Sequence, residues 1–164
     1  MAVRILITGG TFDKEYDEIT GELYFKETHM TEILELGRSK LDVKIRTLML
    51  IDSLEMTNED REIILDNCIR VPETQIVITH GTDTMTKTAR VLAKGKLKKT
   101  IVLTGAMIPY AFGSSDGLFN FGAALTVSQT LSDGVYIVMN GRIFHWDKVE
   151  KNRHTGIFEE VSIQ

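Results

Sequence analysis

Residues 5–12 of the chain read Ile5-Leu6-Ile7-Thr8-Gly9-Gly10-Thr11-Phe12. The apolar run from Val3 to Ile7 predicts a short buried β-strand, and the two glycines after it predict a sharp turn at its carboxyl end. Because open α/β sheets bind ligands at the carboxyl ends of their strands, we expect the Thr11 hydroxyl at a binding crevice. That hydroxyl could attack a carbonyl group. Taken alone, the Gly-Gly-Thr sequence favours an ordinary turn with a hydroxyl cap.

The alternation of strand and helix recurs along the chain. Apolar runs predict further strands over residues 43–49, 75–79, 100–104 and 134–139, and a short sixth strand over 142–144. Helical spacing of apolar residues predicts helices near residues 30–37, 57–71, 85–92 and 118–131. This order is typical of a parallel sheet covered by helices. We therefore predict an α/β fold: a single doubly wound, mainly parallel sheet with helices on both faces, in one domain over residues 1–164 without a carboxyl-terminal domain.

Composition and charge exclude several classes of function. The net charge is −4, and the densest basic group, at residues 94–99, contains no aromatic residue, so we expect no nucleic-acid partner. We expect no membrane partner, since every apolar run is shorter than a membrane span, and the amino terminus does not resemble a signal peptide. Cys68 is the only cysteine and lies on an apolar helical face. We interpret it as a core residue of a cytoplasmic protein.

A polar segment separates Thr11 from the first predicted helix. Residues 13–25 carry a glycine at a turn and weak alternation near their end, which predicts a loop or short hairpin above the first strand. Loops in this position often close over a site. Tyr16 and Tyr24 therefore fit two interpretations equally, as lid residues or as anchors that pack the segment down.

Three predicted strands end in small or hydroxyl-bearing residues, at Gly10-Thr11, Gly81-Thr82-Asp83 and Gly105-Ala106. Parallel strands point these ends toward the same crevice. No glycine-rich nucleotide motif follows the first strand, and the four histidines lack the spacing of metal ligands, so we expect no cofactor and no metal. We expect the internal methionines to be packing residues. Without further context, Thr82-Asp83-Thr84 fits a helix cap as well as it fits a site, whereas we would expect Ser53 to be a junction residue and Lys151 a surface lysine.

Five motifs in order resemble the L-asparaginase/glutaminase family. Residues 8–11 (Thr-Gly-Gly-Thr) and 80–84 (His-Gly-Thr-Asp-Thr) resemble its two signature motifs. Asp52-Ser53, residues 104–107, and Ser115-Asp116-Gly117 with Asn120 follow the order in that family, so the resemblance extends from the first strand to about Thr155. It implies hydrolysis of the side-chain amide of asparagine, with glutamine as a further candidate, to the acid and ammonia.

The resemblance also implies a role for each matching residue. Thr11 corresponds to the nucleophilic threonine, and Thr82 to a second catalytic threonine. Asp83 corresponds to the aspartate that holds the α-amino group of the substrate, and Lys151 to the lysine that contacts the second threonine. Tyr16, five residues after Thr11, is a better candidate than Tyr24 for the lid tyrosine.

The remaining matches concern substrate binding. Ser53 corresponds to the serine that binds the α-carboxylate, and Ala106 to a position whose carbonyl meets the scissile amide. Gly10, Asp52 and Gly81 lie in the same motifs and are expected to line the substrate.

The sequence departs from the family pattern in two places. Leu54 stands where the family often has glutamine, and leucine cannot form that hydrogen bond, so we expect a raised KM. The sequence ends at Gln164, so we expect no acidic residue from a second domain and instead cover from a homodimer or homotetramer. A non-catalytic sensor or partner subunit that binds an amino acid is the alternative to an enzyme.

Overall fold

The computed structural model describes residues 1–162. Its strands are β1 (Val3–Gly9), β2 (Lys14–Asp17), β3 (Glu22–Phe25), β4 (Val43–Ile51), β5 (Gln75–Thr79), β6 (Thr100–Thr104), β7 (Gly134–Met139), β8 (Arg142–His145), β9 (Val149–Asn152) and β10 (Ile157–Glu160). Its α-helices are α1 (Met30–Leu36), α2 (Asn58–Arg70), α3 (Met85–Lys94) and α4 (Gly117–Ser128).

One six-stranded sheet organises the fold, in the order β4-β1-β5-β6-β7-β8. The first five strands of this order are parallel, and β8 is antiparallel to β7. Ile7 of β1 is opposite Thr79 of β5, which is opposite Thr104 of β6. The three central strands therefore end at the same level, and the segments that follow them leave the sheet side by side.

The sheet buries apolar side chains on both faces. Along β1, Leu6 packs with α2 and α3, whereas Ile5 and Ile7 pack with α1 and α4 on the other face. Successive strand residues point to opposite faces, so a strand buried on both sides is apolar throughout. The prediction of a mainly parallel α/β sheet with helices on both faces is confirmed.

Two polar contacts define the ends of α2. The Thr57 hydroxyl accepts a hydrogen bond from the Asp60 N–H, and the Asp60 carboxylate accepts one from the Thr57 N–H, which forms a capping box. At the other end, the Lys99 ammonium donates to the carbonyls of Cys68 and Val71.

Cys68 is fully buried, and burial raises the pKa of its thiol to about 12, which confirms that it is a core residue.

Two antiparallel hairpins lie outside the main sheet. The β2–β3 hairpin confirms the prediction made for residues 13–25. The β9–β10 hairpin was not predicted, because only Val149 and Phe158 of its strands are buried and the other positions are mostly polar. Two predicted bounds were also wrong: β4 extends to Ile51, and α4 ends at Ser128. Within residues 1–162, none of the helices is long and apolar enough to cross a membrane.

Candidate active site

The main chains at the ends of the central strands touch one another. Gly10 has φ +77°, and a Cβ atom there would lie 2.3 Å from the Gly81 nitrogen. A Cβ atom on Gly81 would in turn lie 2.6 Å from the Ser53 Oγ, and one on Gly105 would lie 2.4 Å from the His80 carbonyl oxygen. Real side chains do not tolerate such distances, so these positions require glycine. The structure thus brings the predicted strand ends to one place.

Lys151 links β9 to the residues that follow β5. Its Nζ donates hydrogen bonds to the Thr82 Oγ1 and to the Asp83 Oδ1, both at 2.8 Å. The Lys151 side chain is only 9% exposed, and Thr82 is 7% exposed. A lysine in a surface position would not be buried between a hydroxyl and a carboxylate. The carboxylate of Asp83 faces Lys151, whereas the N-cap of α3 is Thr84.

Met107 completes the surroundings of the Thr82 hydroxyl. The Thr82 Oγ1, which accepts from Lys151, donates its own proton to the Met107 Sδ at 3.6 Å. The N–H groups of Met107 and Ile108 donate to the Asp116 carboxylate at 2.9–3.1 Å. Met107 is 42% exposed, so the expectation that it is only a packing residue was wrong. Its position in the motif at residues 104–107 was the feature of the sequence that could have indicated a place at the site.

Ser53 is buried beside Gly81 and is tied to the start of α3. Its Oγ accepts from the Thr84 N–H at 3.3 Å, and its carbonyl accepts from the Thr84 hydroxyl at 2.7 Å. Because the Ser53 Oγ acts as an acceptor in this contact, its own proton remains available to a ligand.

Asp52, one residue earlier, forms an ion pair with Lys14 of the β2–β3 hairpin. Burial alone would raise the pKa of the Asp52 carboxyl, but hydrogen bonds from Lys14 and from the Leu54 N–H outweigh it and hold the pKa below its usual range. The Asp52 carboxylate therefore ties the β2–β3 hairpin to the end of β4, and its expected contact with substrate stays a prediction. Leu54 itself is 61% exposed.

Thr11 begins a 3₁₀ turn, Thr11–Asp13, directly after Gly10. It is half-buried, while Phe12 is fully buried and packs edge-on against Phe121 of α4. Gly10 touches Gly81, so Thr11 and Thr82 each follow directly on this main-chain contact. Adjacent Cα atoms are about 3.8 Å apart, which keeps the two threonines in one neighbourhood.

Tyr16 and Tyr24 both lie on the β2–β3 hairpin, 55% and 43% exposed. The Tyr16 ring meets Phe112 edge-on, with 6.2 Å between ring centres. Its hydroxyl lies near the hairpin turn, 3.9 Å from where a Cβ atom on Gly21 would be. The position of Tyr16 suits an anchor of the hairpin, and its role as a lid residue stays a prediction.

His80 lies beneath the site and is completely buried. Its Nδ1 is 2.7 Å from the Gly81 carbonyl, which can only accept, so Nδ1 carries the proton and Nε2 accepts from the Thr88 hydroxyl at 2.7 Å. Burial lowers the pKa of His80 to about 4, since the surroundings favour the neutral ring. Within residues 1–162, no group of three or more histidine, cysteine or acidic side chains is arranged to bind a metal ion.

Comparison with known proteins identifies a family whose sequences match this chain. The family model described as "Asparaginase, N-terminal" matches residues 2–161. The chain is 32% identical over 166 residues to a subunit of the glutamyl-tRNA(Gln) amidotransferase of Methanococcus vannielii, covering 94% of this chain and 37% of that protein. It is 30% identical to the L-asparaginase 2 of Bacillus subtilis, covering 93% of this chain and 44% of that protein.

Solved structures agree with these relatives. The thermostable L-asparaginase from Thermococcus kodakarensis superposes with a TM-score of 0.88 at 26% identity, covering 100% of this chain and 52% of that chain. The matched part of the chain covers 24% to 44% of the length of the curated relatives named here and of the L-asparaginase 2 of Escherichia coli. The family match over nearly all of its residues shows that the chain belongs to the asparaginase family, in the part that corresponds to the family's N-terminal domain.

Proposed function

We propose that the protein is an amidohydrolase that cleaves the side-chain amide of L-asparagine, with L-glutamine as a second substrate, to the acid and ammonia. The observation that carries this proposal is the contact of Lys151 with both Thr82 and Asp83. Thr82 directly follows Gly81, and Thr11 directly follows Gly10, which touches Gly81. A hydroxyl is a weak nucleophile until a neighbour accepts its proton, and the Thr82 hydroxyl, which is hydrogen-bonded to the buried Lys151, can relay that proton.

The reaction proceeds in two steps. The Thr11 Oγ1 attacks the amide carbon, its proton passes to the leaving nitrogen through the Thr82 and Lys151 groups, and ammonia departs from an ester on Thr11. Water then attacks the ester carbon, which releases the acid and returns the proton to Thr11. The N–H groups of Thr11 and Thr82 are the candidate donors to the tetrahedral oxyanion, worth about 3 kcal/mol each in comparable sites.

The residues assigned to the substrate's α-groups are Ser53, which lies against Gly81, and Asp83, which follows Thr82. The free Ser53 proton suits the α-carboxylate, and the Asp83 carboxylate, which is one third exposed, suits the α-ammonium. Gly10, Gly81 and Ala106 offer main-chain atoms without a bulky side chain between them and the substrate. A hydrogen bond from Tyr16 would add a cover on the hairpin side.

Ammonia release from a panel of amides tests the function. We expect turnover of asparagine by the wild type and none by Thr11→Ala, with an adduct on Thr11 when a slow amide analogue is followed by mass spectrometry. An adduct on another residue would contradict the proposed nucleophile, and binding without turnover by the wild type would contradict the enzyme.

A partner subunit is the second candidate function. The similarity to the amidotransferase subunit of Methanococcus vannielii extends over 94% of this chain, which favours a protein that works with a second subunit. Such a subunit would bind the same amide through the same residues. The two candidates differ in one measurement, because the enzyme releases ammonia alone whereas the partner subunit requires its complex.

We also propose a homodimer or homotetramer in the cytoplasm. Closed symmetric assemblies are the commonest oligomers, and a neighbouring copy would cover the exposed Leu54 at the rim of the site. The single buried free cysteine is compatible with a reducing compartment. Light scattering at several protein concentrations would measure the assembly.

A further inference from the structure

Met107 is the one partly exposed methionine beside the site in residues 1–162. Met30, Met56, Met85 and Met139 are at most 6% exposed and Met49 of β4 is half-buried, whereas Met107 is 42% exposed and only Met1, at the amino terminus, is more exposed at 91%. Oxidation of methionine by peroxides depends on access to the sulfur. The Met107 side chain therefore offers a small oxidant an approach that the buried methionines lack.

The same sulfur contacts the hydroxyl at the centre of the site. The Thr82 Oγ1 donates to the Met107 Sδ at 3.6 Å while it accepts from Lys151 at 2.8 Å. A thioether is a weak acceptor, so a substrate can draw the Thr82 proton away from it at little cost. Met107 thus sets the direction of the Thr82 proton before substrate arrives.

Both ends of Met107 are held in place. Asp116 binds the Met107 N–H, and the ε-methyl group lies against the main chain of Gly156, where a Cβ atom would be only 3.1 Å away. Gly156 belongs to the turn of the β9–β10 hairpin that carries Lys151. Added bulk or polarity on the sulfur therefore acts on Thr82 at one side and on the Lys151 hairpin at the other.

We propose that Met107 is an oxidation-sensitive positioning residue, whose conversion to the sulfoxide by hydrogen peroxide lowers the activity of the site. The peroxide O–O bond breaks, one oxygen forms the S–O bond, the sulfur loses two electrons, and the peroxide is reduced to water. The sulfoxide oxygen is a much stronger acceptor than the thioether. It retains the Thr82 proton and competes with Thr82 for the Lys151 ammonium. This inference rests on the proposed amidohydrolase function.

Peroxide treatment of the wild type and of Met107→Leu tests the proposal. Peptide mapping should find Met107 oxidised faster than the buried methionines. Wild-type kcat should fall about tenfold, the value of one lost hydrogen bond, with KM within about twofold and an unchanged Tm. Met107→Leu should keep its own untreated activity, although Met1 is still oxidised. Methionine sulfoxide reductases should restore the wild type.

Three results would overturn the inference: equal fractional losses in wild type and Met107→Leu, equal oxidation of Met107 and the buried methionines, or a Tm that falls together with activity. A second measurement does not depend on turnover. The ¹³C signal of the Met107 methyl group should move in Thr82→Val and stay in place in Thr31→Val, an exposed threonine of α1. If untreated wild type releases no ammonia, selective oxidation together with this signal change upholds the Met107 site while the proposed function fails. An unmoved signal overturns the Met107 contact.

Discussion

The candidate site has two halves that are held in different ways. The buried half, residues 80–84 with Lys151, has its side chains linked by hydrogen bonds, with Thr82 7% exposed and the Lys151 side chain 9% exposed. The hairpin half, residues 14–25, lies across the rim with Tyr16 55% exposed.

The contacts of the hairpin half are few and mostly at its base. Lys14 pairs with Asp52, Glu15 lies 3.3 Å from the His29 Nε2, and Tyr16 touches Phe112 edge-on. These contacts are fewer than those of the buried half, and Tyr16 and Tyr24 remain half exposed, so we expect the hairpin to open more readily than residues 80–84. The difference indicates that the proton-handling groups are preorganised, while the segment that covers the substrate is the part free to move.

The largest expected effect concerns Thr11, the proposed nucleophile, which lies between the two halves. Thr11→Val removes the hydroxyl but keeps the shape of the side chain, so kcat for asparagine should fall about 10³-fold or more, as for other covalent nucleophiles. Thr31→Val, on the exposed face of α1, is the matched control and should keep wild-type kcat. Steady-state ammonia release checks both. If the kcat of Thr11→Val stayed within tenfold of the wild-type value, a residue other than Thr11 would be the nucleophile.

The next effect tests the buried half alone. Lys151→Met leaves Thr82 and Asp83 without the ammonium between them, and kcat should fall about 10²-fold or more, the usual range for a lost proton-transfer group. Lys148→Met, at an exposed lysine three residues earlier, is the control for the loss of one positive charge and for a lysine-to-methionine change next to the β9–β10 hairpin. If both variants lose activity equally, the contact of Lys151 with Thr82 is structural only.

The buried half should also carry a pH dependence of stability. The pKa of His80 is about 4 in the folded protein against 6.5 unfolded, so the unfolded chain binds a proton first as the pH falls. The free energy of unfolding should therefore decline as the pH drops from about 6.5 to about 4, by up to about 3 kcal/mol. Urea unfolding at intervals of pH measures this. An identical pH profile in His80→Asn would assign the decline to other groups.

A smaller effect tests the hairpin half. Tyr16→Phe removes one hydroxyl from the hairpin, and kcat/KM should fall about tenfold if that hydroxyl contacts the bound substrate, the value of one hydrogen bond. Tyr24→Phe is the matched variant on the opposite strand of the hairpin and should change kcat/KM less. The reverse order of the two effects would make Tyr24 the lid tyrosine.

The smallest effect concerns the rim next to Asp52. Leu54→Gln supplies a hydrogen-bonding amide at an exposed position and should lower KM for asparagine about threefold to tenfold without changing kcat. Leu54→Met, which changes the shape but adds no donor, should leave KM unchanged. Saturation of the wild type at low micromolar asparagine would instead contradict the expected weak binding.

The sequence predicted the central strands best. β5, β6 and β7 were predicted with the bounds that the structure shows, because strands buried on both faces are continuous apolar runs between polar turns. The β9–β10 hairpin was missed, because its burial depends on two residues only. Lys151 could thus be selected only through the family resemblance, since its partners are 68 and 69 residues away in the sequence.

The contact between Thr82 and Met107 was beyond prediction for a related reason. It depends on Asp116, which binds the N–H groups that follow β6, and on Gly156 in a hairpin that the pattern did not reveal. Local propensities carry no information on such contacts between loops. The pairing of Asp52 with Lys14 is another example, because an ion pair between two loops has no local signature.

The meeting of Gly10, Gly81 and Ser53 has a consequence for how such a protein can change. Main-chain atoms in direct contact fix the spacing of the two threonine-bearing turns, so that spacing is independent of which side chains surround the pocket. Variation at the rim and on the hairpin can then alter the choice of amide while the attacking group stays in place. A mutant library aimed at new substrates would keep positions 10, 81 and 105 constant and diversify positions 16, 24 and 54.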